Sequence, residues 1–422
     1  MATQASSIDR ARSAERIERD IEALSGPAYT RSDEAIRRYA YTPEYRATLD
    51  YFAGELEALN FEVSYDPVGT LVARNQPAGE PAFGVGSHCD SNRNGGKYDG
   101  TMGVVTALEV CRLNAELGLE LPLQLISFLE EEGSGFGQML LGSRIVARRV
   151  TEAELREEFH AIDDDRPFWE HAEEAGYEPA RWQEALRILD GLTGWIEMHI
   201  EQARVLQDTG NRIGIVNAIA GYIHADVRLE GRADHAGATP MDFRLDAAPA
   251  AAQIVLEVER LARDAGGGTV GTVGEIEFEP GLINVVPGGA RLSLDTRGVV
   301  EEGFQSVARG VEAFAREVAE RNGLQASYTQ RQTLPVTHMD ASIVGALEEA
   351  AQATDEPFMV MPSGAAHDTM CVADHVPSAM VFVPCEDGIS HSPKEAAEPA
   401  DAAVAAEIIL NAIRLLTAPG GK

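Results

Sequence analysis

PAFGVGSHCDSNRNGGKYDGTMGVVTALEVCRLNAEL, residues 81–117, packs a strand, a polar loop and a helix into one passage. The apolar run 81–87 has strand length and ends at His88. Asn94-Gly95-Gly96 supplies the turn that brings Asp99 back toward His88, and the spacing beyond it predicts a helix over 103–117. Three more passages repeat the first half of this scheme. LPLQLISFL (121–129) leads into Glu130-Glu131-Glu132, GWIEM (194–198) into His199, and SAMVFVP (378–384) into the loop that carries His391. Strands alternating with amphipathic helices make an α/β protein with a mostly parallel sheet, and in open sheets of that kind catalytic groups collect outside the carboxyl ends of the strands.

Any one of these histidines alone reads as a hydrogen-bonded core or surface residue, and an acidic triplet as a solvated face. Several strand ends with matching chemistry carry more weight. Imidazole and carboxylate suit zinc, manganese or cobalt, and two ions roughly 3.5–4 Å apart can share one carboxylate. His88, Asp99, the acidic run, His199 and His391 therefore read as a two-metal hydrolase site, with Asp99 as the bridging candidate. Glu131 and Glu132 can divide the remaining work, because adjacent residues at a strand end point in different directions: one ligates and the other takes a proton. Asp90, two residues beyond His88, is placed to orient that imidazole.

The order of elements changes from residue 213. Strand 213–230, helix 246–264, strands 269–280 and 290–297, helix 303–322 and strand 325–331 follow the β-α-β-β-α-β order of a ferredoxin-like unit. The expected organisation is thus a catalytic domain of residues 1–212 and 332–422, interrupted by an inserted lid or dimerisation domain, 213–331. Residues 148–190 read as a helical surface insertion, and an Ala-rich helix over 401–416 closes the chain.

Composition narrows the function. A chain of 422 residues exceeds the roughly 250–300 at which single cores stop growing, so two domains are expected. The net charge of −33, from 68 acidic against 35 basic residues, argues against a nucleic-acid partner. No run of 18 uncharged apolar residues marks a membrane span. The charged, amphipathic start lacks a signal core, and the expectation is a cytoplasmic enzyme. Cys89, Cys111, Cys371 and Cys385 are too scattered for a disulfide framework; Cys89, beside His88, is the one nearest metal chemistry. Residues 266–271 match GxGxxG but follow a helix and precede a strand, the reverse of a dinucleotide site, and GxSxG, HExxH and P-loop signatures are missing from the sequence.

The ordered segments GSHCDSNRNGGKYDG, FLEEEGSGFGQMLLGS, MHIEQ, GRADHAGATPM, LINVVPG, DTR, SGAAHD and GISHSPKE resemble the hydantoinase/carbamoylase branch of the M20 metallopeptidase-like amidases. The resemblance implies a metallopeptidase-like catalytic domain holding two divalent ions per chain, zinc or else manganese, cobalt or nickel. His88, Asp99 and His199 would ligate one ion, and Asp99, Glu132 and His391 the other. Glu131 becomes the general base. Gln202, Asn284 and Arg297 match substrate-binding positions, and His235 is expected to reach the partner subunit's active site in a homodimer. Gly135, Asn92, Ala203 and Ala366 depart from the common pattern of the family, the first two close to the acidic run and to His88.

The activity implied is a metal-dependent hydrolase acting on non-peptide C–N bonds, cleaving the carbamoyl group of N-carbamoyl-L-amino acids, small carboxylate-bearing ureido substrates. Allantoate amidohydrolase and β-ureidopropionase are the near alternatives. Farther off stand a dipeptidase, an N-acyl amino acid amidase and a non-catalytic dimeric binding protein.

Overall fold

The computed structural model describes residues 8–418. The described chain forms two compact units, one of residues 8–217, 339–361 and 366–418, the other of residues 218–338 and 362–365.

The larger unit is built on a twisted sheet whose order is Glu62–Tyr65, Leu71–Arg74, Leu123–Phe128, Ala82–His88, Leu192–Ile200, Ser378–Val383 and Ile213–Ile219. The central four strands are mutually parallel, and the flanking ones antiparallel. Ala82–His88, Leu123–Phe128 and Ser378–Val383 are buried along their whole length, as expected of strands covered on both faces. The register pairs His88 with Phe128 and His199 with Phe382, so the carboxyl ends of adjacent strands finish level. That alignment converts ligands separated by a hundred residues into neighbours.

The helix after the Asp99 loop runs Thr101–Glu116 and is buried on nearly every side, with helices Arg10–Leu24 and Pro399–Thr417 packed against it. Its charged residues survive burial by pairing. Arg112 bonds Asp20 at 2.5 Å and Glu55 at 2.5 Å, while Glu109 pairs with Arg16. Residues 148–190 are helical, as expected, but in short pieces. They hold a π-helical turn, Glu154–Glu158, a two-turn helix, Phe168–Glu174, and a 3-10 segment, Pro179–Arg187. Pro167 and Pro179 prevent longer helices from forming. Aromatic packing holds the segment instead, with Phe168 centred 5.4 Å from Tyr41 and 5.2 Å from Phe136.

The smaller unit follows the order strand, helix, two strand segments, strand, helix, strand. Its antiparallel sheet runs Ile276–Glu279, Gly289–Gly298, Gly221–Glu230 and Gln325–Leu334, with Val270–Thr272 also on Gly289–Gly298. Burial alternates strictly along Gly289–Gly298, and Leu292 and Leu294 join Ile223, Val227 and Leu229 under helices Ala247–Ala265 and Glu301–Arg321. Buried positions 304, 307, 308, 311, 315, 318 and 319 give the second helix its 3.6-residue stripe. The unit starts at 218 rather than 213, because Ile213–Ile219 still belongs to the large sheet, pairing Val216 with Met380. The expected strand 213–230 is accordingly two strands, separated at Ala220, whose N–H bonds Ser363. The unit also ends at 338 rather than 331, since the last strand stays paired as far as Leu334 with Tyr222.

Candidate metal centre

Each strand end delivers a side chain into one small volume. His88 is the last residue of its strand and His199 the last but one of its own, so both imidazoles are fixed by buried backbone. Their Nε2 atoms lie 3.4 Å apart, and Asp99 Oδ1 is 3.7 Å from the first and 3.2 Å from the second. The other Asp99 oxygen faces His391, whose Nε2 is 3.5 Å from Oδ2 and 3.4 Å from Glu132 Oε2. Donor atoms each about 2.1 Å from one ion stand about 3.4 Å from each other in a tetrahedron. The first trio, His88–Asp99–His199, is close to that spacing throughout, the second, Asp99–Glu132–His391, has it around His391, and within each trio the donor atoms lie within 4.8 Å of one another; the two share one carboxylate, which fits a pair of divalent ions. Glu131 Oε2 sits 3.7 Å from His88 Nε2, beside the first trio.

Local structure explains the convergence. Gly100, at φ +59°, follows Asp99 where a Cβ would lie 2.2 Å from His88 Cε1, so the chain can double back on the imidazole only as glycine. Asp90 accepts from the N–H groups of Glu131 and Glu132, each at 3.1 Å, and its Oδ1 is 3.4 Å from His88 Nδ1. The His199 Nδ1–Ile200 carbonyl contact, 2.9 Å, leaves the lone pair on Nε2, which accepts from Gly100 N–H at 3.3 Å and faces the other ligands. Glu130, Gln202 and His391 all hold positive φ, a conformation costing of order 1 kcal/mol or more per residue that persists only where surroundings enforce it.

The electrostatics are those of an anionic pocket. Burial alone would raise the Asp99 carboxyl, but the hydrogen bond and charge of His199, with His88 and His391, hold it well below the usual carboxylate range. Burial, with Glu132 and Asp368 adding, pushes Glu131 well up, and burial with Asp99 does the same to Glu132. Burial disfavours a charged His88, yet Glu131, Asp90 and Asp99 outweigh it and raise its pKa. Carboxyls that cling to protons beside imidazoles that gain them are groups in want of cations, and this donor chemistry fits the two ions as well as the spacing does.

A pH dependence follows for protein stripped of divalent ions. Burial pushes Glu130 up to about 8, and burial with Glu197 pushes Asp368 up to about 8. Each keeps in the folded chain a proton that it gives up on unfolding, so stability falls as pH rises from the ordinary carboxylate range through about 8. His88 and His199, raised in the fold, act in the same direction above the ordinary imidazole range. The chelated protein should unfold several degrees lower at pH 8 than at pH 6 in a thermal melt. An equal or higher transition at pH 8 would contradict the electrostatic picture.

Further side chains complete the surroundings, Glu395 and Ser390 without having been marked in the sequence. Glu395 is buried and accepts from Tyr98 N–H at 2.8 Å and Asp99 N–H at 2.9 Å, fixing the backbone of the shared ligand. Ser390 donates to Asp99 Oδ2 at 2.7 Å, as does Gln202 Nε2 at 2.9 Å. Glu130 turns inward and accepts from the N–H groups of Gly135 and Phe136, at 2.6 and 2.7 Å, so it closes the acidic loop. A Cβ on Gly135 would come within 2.8 Å of Glu130 Oε2, which links this departure from the family pattern to the inward carboxylate. Asn92 Nδ2 lies 3.4 Å from His391 Nδ1. His367 packs on His199 at 4.6 Å between ring centres, and burial followed by the charge of His199 holds its pKa well below normal. Cys89 does not meet the metal chemistry expected of it: its thiol is wholly buried and pushed up to about 11, chiefly by desolvation.

Three expected substrate residues lie in the smaller unit. His235 is exposed on a two-residue strand paired with Val285, and its Nδ1 accepts from Gly237 and Ala238 N–H, leaving Nε2 outward. Asn284 extends that pairing, its backbone carbonyl accepting from Ala236 N–H at 3.0 Å. Arg297 lies over the Tyr222 ring at 5.3 Å, and Asp295 grips Nε at 2.9 Å and Nη2 at 2.7 Å. Nη1 donates to Gly364 O at 3.3 Å, so one proton on each terminal nitrogen remains for a ligand.

Residues 80–415 match the model of peptidase family M20/M25/M40. The chain is 36% identical over 408 residues to the N-carbamoyl-L-amino-acid amidohydrolase of Paenarthrobacter aurescens, covering 96% of this chain and 98% of that protein. It is 33% identical over 392 residues to a ureidoglycolate hydrolase of Oryza sativa subsp. japonica, covering 91% and 81%. Among solved structures, an amidase of the hydantoinase/carbamoylase family from Burkholderia multivorans aligns with a TM-score of 0.86 at 28% identity, covering 95% of this chain and 97% of that one. No helix among the described residues is long and apolar enough to cross a membrane.

Proposed function

This chain belongs to peptidase family M20/M25/M40 and is a hydrolase, and from that premise we propose that it cleaves the carbamoyl C–N bond of N-carbamoyl-L-amino acids with two divalent ions per chain. The observation that carries the reading is Asp99, one oxygen turned to His88 and His199, the other to His391, with Glu132 completing the second trio. We assign these five residues as ligands. Bound ions would act as Lewis acids and make water acidic enough to attack near neutral pH. Glu131 takes the proton of the attacking water as its oxygen bonds to the carbamoyl carbon, and returns it to the amine as the C–N bond breaks. Its place beside the first trio, within 3.7 Å of His88 Nε2, suits it to both transfers. Gln202, bonded to Asp99, borders the substrate, and His235 donates to the oxyanion. Asn284 and Arg297 hold the substrate carboxylate. A homodimer in which His235 serves the partner's site belongs to the same reading, and sedimentation at assay concentration checks the dimer. A cytoplasmic place of action belongs to the same reading.

The test is a substrate panel on metal-reconstituted protein: N-carbamoyl-L-amino acids, N-carbamoyl-β-alanine, allantoate and ureidoglycolate. The expected order puts a carbamoyl-L-amino acid first. Faster turnover of allantoate or ureidoglycolate would move the assignment to a neighbouring reaction, for which the rice relative's name gives a second reading. Turnover of a carboxylate-free amide alone would overturn the substrate class.

A further inference from the structure

We propose that Arg38 is a positioning residue for the metal centre: a buried guanidinium that locks two ligand-bearing segments in register. The inference rests on the metal assignment above and goes beyond it, since Arg38 touches no ligand side chain. It is 1% exposed. Its Nε donates to the Cys89 carbonyl at 2.6 Å, in the residue between His88 and Asp90, and its Nη2 to Thr101 Oγ1 at 2.6 Å, two residues past Asp99. Nη1 is held by Leu24 O at 2.9 Å and Thr48 Oγ1 at 3.3 Å. The backbone adds two bonds, Arg38 N–H to Ser91 Oγ and Ser91 N–H to the Arg38 carbonyl, each 3.0 Å. Residues 89–91 are thus gripped from one side by Arg38, while from the other Asp90 carries the backbone of Glu131 and Glu132.

What makes Arg38 more than a packed side chain is that every acceptor is neutral. Burying a guanidinium without a carboxylate of its own is expensive, and arginine cannot shed its charge to escape. Part of the compensation comes from Asp90, itself buried. Charge and geometry then pull metal affinity in opposite directions. A fixed cation nearby disfavours two more, whereas the rigid fork keeps His88 and Asp99 at ligand spacing. Lysine loses the fork and, buried this deeply, can also shed its charge; because losing a nearby cation would strengthen metal binding, a weakened affinity in Arg38→Lys reports the geometric part.

The experiment measures affinity for Mn²⁺ and Zn²⁺, each added alone, by competition with a chromophoric chelator, in wild type, Arg38→Lys and Arg38→Met, with thermal melts of the metal-free proteins alongside. Disturbing groups that orient ligands weakens metal binding about 10- to 100-fold, and that loss is expected of Arg38→Lys. Saturating metal should recover most of its kcat. Should the Arg38 variants fail to fold, Thr101→Val removes the guanidinium's contact just past Asp99 and Ser91→Ala the backbone tie between Arg38 and residue 91, with a several-fold loss expected of each. A lowered melting point with wild-type metal affinity, in whichever variants fold, would reduce Arg38 to a packing residue and overturn the proposal. Wild-type protein that binds neither ion would instead overturn the metal assignment itself.

Discussion

Glu131→Gln should lower kcat by about 10³- to 10⁴-fold while the protein keeps its divalent ions, a loss of roughly 4–5 kcal/mol in transition-state stabilisation. The amide fills the same space and cannot accept the water proton. Glu132→Gln should behave differently, because Glu132 Oε2 lies 3.4 Å from His391 Nε2 in the second trio and a neutral amide is a much poorer ligand for a divalent ion. Loss of metal should accompany its loss of activity, most plainly for one of the two ions. Paired measurements of metal content and kcat on the two variants check this, and equal metal loss in both would mean that the roles of the neighbours are misassigned.

Arg297→Ala should cost about 30- to 1000-fold in kcat/KM on an N-carbamoyl-L-amino acid and little on its amide, the discrimination expected when a bound carboxylate loses its guanidinium partner. The geometry sharpens the expectation. Asp295 holds one edge of the guanidinium and Tyr222 its face, so the group is already oriented before a substrate arrives. Arg297→Lys keeps the charge, yet it cannot satisfy Asp295 and a substrate with the same planar fork, and should recover only part of the loss. Steady-state kinetics on the acid and its amide read this directly. Equal losses on both substrates would remove Arg297 from carboxylate recognition.

Much of this architecture was legible in the chain because buried parallel strands write themselves as apolar runs, and because the chemistry stands where those runs stop. His88, His199 and the acidic run are all marked in that way. Asp99 needed only the nearby glycines to be brought back. Glu395 and Arg38 left no such mark: their partners are backbone N–H groups, carbonyls and hydroxyls, which every sequence contains, and Glu395 meets Asp99 across nearly three hundred residues. Asn92 and His391 are likewise brought together only by the fold. The break at Ala220 stayed hidden for a similar reason. Residues 213–230 are uniformly strand-forming, and only the pairing of their two halves with different sheets separates them. At residues 148–190 composition pointed to helix, and the prolines and aromatic packing divide that helix into short pieces. Cys89 misled because sequence neighbours in a strand face opposite ways.

The central claim is that five side chains from distant segments hold two ions through one shared carboxylate. Elemental analysis of purified protein, combined with assay before and after exhaustive chelation, tests it most directly. Up to two divalent ions per chain should be found, activity should vanish as they are removed, and zinc, manganese, cobalt or nickel should restore it. Full hydrolytic activity in a sample free of metal would contradict the account.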